Sequence, residues 1–195
     1  MGFKHRTLLV AAFAVTVMGC AETRFESTWR DPAAAPGQLQ GQRVAAVVDA
    51  GSEAFRRSGE DALVRALARH GVMGIPGYRL LAEESSDPET LYQQLNGRGL
   101  AAVVVMKVID SRAVLSQVGP YYGVPYSGWD YGWSTAGYPM YTVTRVETTV
   151  HSLRSNSLLW AGVSRTLDPT RLDQMISQVA AQATKEMKKQ GLVKQ

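Results

Sequence analysis

Arg145, Glu147 and His151 are the residues of this chain whose types come nearest to a catalytic set. An imidazole beside a carboxylate can move protons, and a guanidinium can hold an anion. The run from Thr142 to Val150 alternates and is rich in β-branched residues, so it predicts a strand with these three side chains on one face. Four residues of strand separate Glu147 from His151 by roughly 13 Å. A base and the group that orients it need about 3 Å. The spacing therefore predicts a polar sheet face, with Arg145 pairing an acid on a neighbouring strand. Asp110 closes an apolar run, and ligand sites in parallel sheets often lie at the carboxyl ends of strands. It is a candidate with no assignable partner. His70 falls at a predicted helix end, where an imidazolium suits the dipole. No His, Cys and carboxylate spacing suits a metal, and no glycine-rich phosphate loop or nucleophile elbow occurs. The expectation is no catalytic residue, no metal and no cofactor. An unrecognised hydrolase built on Asp110, Arg145 and Glu147 is the least favoured reading.

Cys20 is the one cysteine, and its chemistry is of another kind. Lys4 and Arg6 precede an uncharged run, Leu8 to Met18, and Gly19 and Cys20 come after it. A membrane-spanning helix takes roughly 20 apolar residues, so this run is too short to span and fits the core of a secretory signal. With no second thiol, an internal disulfide is impossible. Val17-Met18-Gly19-Cys20 resembles the bacterial lipobox, with Val17 where Leu is commonest. The resemblance implies cleavage before Cys20 and acylation of it. The expected division is a signal peptide over 1–19, a lipid-anchored segment over 20–42 and one periplasmic domain over 43–192. Ala21 after the cysteine, where Asp is absent, resembles the pattern that sorts lipoproteins to the outer membrane.

Residues 118–141 carry the other unusual composition: six of the eight tyrosines, two of the four tryptophans, five glycines and a single charge, Asp130. Loops beyond about 15 residues are uncommon unless functional or disordered. Tyr121, Tyr122, Tyr126, Trp129, Tyr131 and Trp133 are candidate contacts for a protein partner, for a glycan such as peptidoglycan, or for lipid headgroups. The alternative is a loop that folds its own aromatics over the sheet.

Setting aside Lys4 and Arg6 leaves 19 basic against 17 acidic residues, a formal charge of +2. No basic block occurs, so no nucleic-acid partner is expected. Among the elements that must position these residues, Arg43 to Ala50 is a buried strand, and Glu53 to His70 a helix capped by Ser52. Phe55, Ala62, Leu63, Ala66 and Leu67 form its apolar stripe, with Arg56 and Glu60 facing away. A broken strand covers Val72 to Leu81. Asp87-Pro88 opens a second helix, and Leu100 to Ile109 is a third strand. Two more strands, Thr142 to Leu153 and Leu158 to Leu167, turn at Ser155-Asn156. Asp168-Pro169 opens the last helix. The order is β-α-β-α-β-β-β-α, an α/β (α+β sandwich) fold with a mixed sheet. Thr23 to Trp29 reads as an additional strand docked on the domain, with Phe25 and Trp29 on one side.

These segments, with Ser27-Thr-Trp-Arg-Asp-Pro32, Arg145-Val-Glu-Thr148 and Leu158 to Pro169, resemble a family of uncharacterised bacterial lipoproteins. The resemblance implies a small α/β sandwich. Its topology is similar to lipoproteins that activate penicillin-binding proteins and to the N-terminal domain of a Tol-system protein. It implies a non-enzymatic accessory or adaptor role in the cell envelope, or else a glycan-binding module.

Overall fold

The computed structural model describes residues 23–82, 85–115, 140–167 and 171–194. Six strands form one mixed sheet: β1 (Thr23–Arg30), β2 (Arg43–Asp49), β3 (Met73–Pro76), β4 (Ala102–Leu115), β5 (Met140–Ser152) and β6 (Ser157–Leu167). Their order across the sheet is β1-β6-β5-β4-β2-β3. β2 runs parallel to β3 and β4, whereas β4, β5, β6 and β1 pair antiparallel in turn. Three helices pack on it: α1 (Glu53–Ala68), α2 (Pro88–Leu95) and α3 (Leu172–Lys189). Among the described residues no helix is long and apolar enough to cross a membrane.

The local signals act where the residues place them. Ser52 accepts from the Phe55 N–H at the start of α1, and Asp87 accepts from the Thr90 N–H at the start of α2. Asn156 takes a left-handed conformation, φ 48°, in the β5–β6 turn. One sheet face carries Val44, Ala46, Val104, Met106, Val150 and Trp160 under α1 and α3, whose Leu63, Leu67, Ile176, Val179 and Met187 are fully buried. Each such side chain contributes about 2 kcal/mol relative to exposure. The opposite face is covered over β2 and β4 by Leu91 and Leu95 of α2.

Several expectations need correcting. Arg56 and Glu60 do not face away; they are buried, Glu60 completely. Their charges pair at 3.2 Å, and Glu60 also accepts the Tyr78 N–H at 2.8 Å, so the stripe holds a satisfied ion pair. Phe25 and Trp29 lie on opposite sides of β1. The register shifts at Glu26, so Phe25 packs edge-on against buried Trp160 at 5.8 Å while Trp29 stays 48% exposed. Asp110 does not end its strand, because β4 continues to Leu115 along its antiparallel partner β5. His70 comes just after α1, but burial, then Lys188 and Arg69, hold its imidazole below the ordinary histidine range, against the expected imidazolium. α3 begins at Leu172 with no side-chain cap; the expected cap, Asp168, lies outside the described residues.

Candidate functional site

β2 ends at Asp49, and the carboxyl end of this parallel strand is where the fold opens. The chain after β2 rises into α1 on one face, and the chain before α2 descends on the other. Between them lies a cluster of polar side chains on adjacent strands. Asp49 of β2, Lys107 of β4 and Glu147 of β5 stand side by side in the ladder. Lys107 Nζ lies 3.2 Å from Asp49 Oδ2 and 3.4 Å from Ser86 Oγ. Ser86 in turn donates to Asp49 Oδ2 at 2.7 Å. That hydroxyl, and then the ammonium, hold the Asp49 carboxyl below the usual carboxylate range, against the opposing effect of burial.

A cleft of about 350 Å³ lies beside this triad, lined by Ser86, Pro88, Lys107, Glu147, Thr149 and His151. Alternation along β5 puts Arg145, Glu147, Thr149 and His151 on one face. Burial holds the His151 imidazole below its ordinary value, and the nearby Glu147 charge only partly offsets it. The ring is therefore a neutral donor and acceptor at neutral pH. A second, mostly apolar cleft of about 530 Å³ lies around the end of β2, lined by Ala50, Gly51, Phe55, Val108 and Thr144. Asp49 and Lys107 line it too, and Lys107 lines both, so this ion pair stands between the two spaces.

Further along the same sheet face, Arg145 bridges two acids. It donates to Glu26 of β1 at 2.8 Å and to Asp110 of β4 at 2.9 Å. Arg112 also pairs with Asp110 at 3.0 Å, and Arg165 approaches Glu26 at 3.6 Å. The hydrogen bond from Arg145 is the main reason the Glu26 carboxyl is lowered. One register shift makes this ladder: the extra residue Ile109 in β4 turns Asp110 onto the Arg145 face. Glu26 reaches that face by plain alternation from Phe25, which packs on the core side.

The structure thus brings Asp110 and Arg145 together as an ion pair, the cross-strand pairing expected from the alternation. Glu147 and His151 share a cleft but not a hydrogen bond. Among the described residues neither histidine bonds to a hydroxyl or a carboxylate, and no group of three His, Cys, Asp or Glu side chains could hold a metal ion. The cleft can hold a ligand by charge and hydrogen bonding. Cys20 and the candidate contacts Tyr121, Tyr122, Tyr126, Trp129, Tyr131 and Trp133 lie outside the described residues. Sequence reasoning missed Asp49, Ser86 and Lys107. The carboxyl-end rule that selected Asp110 applies better to Asp49, which closes the apolar run Val44 to Val48.

No family model matches the chain, and no curated protein matches it. Among solved structures it is similar to the PelC dodecamer from Paraburkholderia phytofirmans, at 11% identity over 90% of this chain and 100% of that one, with a TM-score of 0.48. It is also similar to lipoprotein GNA1162 from Neisseria meningitidis, at 13% identity over 75% of this chain and 97% of that one, with a TM-score of 0.38. Both overlaps are loose, and neither assigns a role to any residue of this chain.

Proposed function

We propose that this chain is a lipid-anchored accessory protein of the cell envelope, held by acylated Cys20 and facing the periplasm, with no reaction of its own. The observation that carries this reading is a distance along the chain. Only Ala21 and Glu22 separate Cys20 from Thr23, the first residue of β1. Three residue steps reach at most roughly 10 Å. β1 is firmly held: Thr23 bonds Thr166 at 2.8 Å, and Gln190 links Thr28 at 2.7 Å to Trp160 at 3.0 Å. A lipid on Cys20 would thus act on the fold almost directly, with no long tether between them. Two or more acyl chains give lasting attachment where one gives marginal binding.

The strand register adds a second support. Thr23 pairs Thr166, Thr166 pairs Thr144, and Thr144 pairs Ser111. The start of β1, the end of β6, the start of β5 and the end of β4 therefore share one end of the sheet. Residues 116–139, with their tyrosines and tryptophans, join β4 to β5 at that same end. The two strand ends that this segment joins thus lie at the same end of the sheet as Thr23, which favours a partner or surface close to the membrane if Cys20 carries lipid. The outer membrane is the proposed location.

The test uses a palmitate analogue in cells. The wild-type chain takes up label and fractionates with the outer membrane, whereas Cys20→Ser does neither. Crosslinking in intact cells from a probe within residues 121–133 then identifies the neighbour, and a specific envelope protein supports the adaptor role. A glycan-binding module is the second reading, favoured by Trp29, which is 48% exposed on the open sheet face. If the protein pellets with purified sacculi, and a Trp129→Ala/Trp133→Ala double variant does not, that reading replaces the first.

A further inference from the structure

We propose that the cleft between β5 and the turn before α2 is a binding site for a small organic primary ammonium ion, with Glu147 as its counter-charge. Lys107 lies directly opposite Glu147 on the neighbouring strand. Opposite charges so placed normally pair. Here the lysine turns the other way, 3.2 Å from Asp49 and 3.4 Å from Ser86. Glu147 consequently has no ion-pair or hydrogen-bond partner among the described residues, although it lines a cleft of about 350 Å³. A carboxylate that faces a recess without a counter-ion is a receptor for a cation.

The other lining groups set the class of that cation. An ammonium brings three donors. Glu147 can accept from one and the Thr149 hydroxyl, two residues on, from another, while the neutral His151 ring, roughly 13 Å from Glu147 along the strand, can meet only a second polar group at the far end of the ligand. Val105 and Pro88 supply apolar walls for a short carbon skeleton. The volume suits a ligand of amino-acid size, not a polymer. A planar guanidinium or a bare metal ion fits less well, because the second carboxylate of the lining, Asp87, already accepts from the Thr90 N–H and hydroxyl at 2.8 Å as the cap of α2, and no metal-binding group of three exists among the described residues. The inference is independent of the anchor, since a soluble or an anchored chain would carry the same cleft.

The experiment uses the full chain in detergent and NMR of the backbone amides and of the His151 ring. Ethylammonium, glycine and alanine are titrated separately. Ethylammonium is expected to shift Glu147 and Thr149 saturably. A comparable response to glycine and alanine assigns an amino-acid ligand, and a response to ethylammonium alone assigns a simple amine. Glu147→Gln, which keeps the shape, is expected to weaken binding about tenfold or more, or ~1.4 kcal/mol. Asp49→Asn should also weaken it, by releasing Lys107 to pair with Glu147, whereas Lys107→Met should tighten it. The opposite signs at two residues of one ion pair distinguish ligand binding from damage to the fold. No saturable shift with any of the three compounds, or equal binding by Glu147→Gln, overturns the proposal.

Discussion

Lys107 and Glu147 face each other across the β4–β5 ladder, yet the Lys107 ammonium lies 3.2 Å from Asp49 on the other side. The choice between two acids has a local cause. Ser86 donates to Asp49 at 2.7 Å and stands 3.4 Å from the ammonium, so the three groups close a small ring. The turn before α2 supplies that serine. The placement of one helix therefore decides which carboxylate is neutralised and which is left facing a cleft.

The ring itself should add little stability. The Lys107 and Asp49 side chains are 51% and 37% exposed, and exposed ion pairs are worth at most about 1 kcal/mol. Ser86→Ala is expected to change the unfolding free energy by less than about 1 kcal/mol. It should also move the Asp49 carboxyl up toward its ordinary range, because the serine hydrogen bond is the first cause of its lowering. A carbon-detected NMR titration of Asp49 reads this, and an unmoved carboxyl would contradict the assignment.

Gly162 is where β1 depends on a missing side chain. A Cβ there would stand 2.5 Å from Trp160 and 2.6 Å from Phe25, the two rings that hold β1 to the core. Gly162→Ala is expected to destabilise the protein by about 1–3 kcal/mol through overpacking. Hydrogen exchange should show the loss concentrated in β1. Uniform exchange across the sheet, or wild-type stability, would refute the account of this contact.

Glu60 separates charge from hydrogen bonding. It is fully buried, pairs with Arg56 at 3.2 Å and accepts the Tyr78 N–H at 2.8 Å. Burial pushes its carboxyl up despite these partners. Glu60→Gln keeps an acceptor for Tyr78, and Arg56 still has Glu53. Glu60→Ala strands the N–H and one side of Arg56, and is expected to cost about 3 kcal/mol. The glutamine variant should cost clearly less in urea denaturation. Equal losses would mean that the charge itself is needed.

Acid sensitivity should come in part from His151. Burial holds its folded-state imidazole below the ordinary histidine value, so the unfolded chain binds that proton first as pH falls. The contribution to stability is complete above the unfolded pKa of about 6.5 and is lost progressively below it, down to the folded value. His151→Gln is expected to reduce the drop in urea midpoint between pH 7.5 and 5.5. His70, lowered in the same direction by burial and two cations, leaves a residual slope. An unchanged drop in the His151 variant would rule out this linkage.

Much of this was legible in the sequence, and the missing parts share a cause. The buried run Val44 to Val48, the caps at Ser52 and Asp87 and the turn at Asn156 are local signals, and each acts at its own position. The mixed α/β architecture comes from their order. The register shifts at Glu26 and Ile109 are not local. They depend on partner strands far along the chain: the shift at Ile109 brings Asp110 to Arg145, and the shift at Glu26 sets Trp29 on the side opposite Phe25. The same holds for Arg56 and Glu60, whose polarity reads as solvent-facing until the Tyr78 N–H arrives from elsewhere in the chain. Of the cleft, Glu147 and His151 were visible as one strand face. Asp49, Lys107 and Ser86 were not, because three separate segments bring them together.

Anchoring through Cys20 is read from the intact mass of the protein extracted from cell membranes, with sequencing of its N-terminal peptide. The expected chain begins at Cys20 and carries the added mass of a diacylglyceryl group and an N-acyl chain. A membrane-extracted protein that still carries residues 1–19, or that begins at Cys20 with an unmodified thiol, would contradict that anchoring.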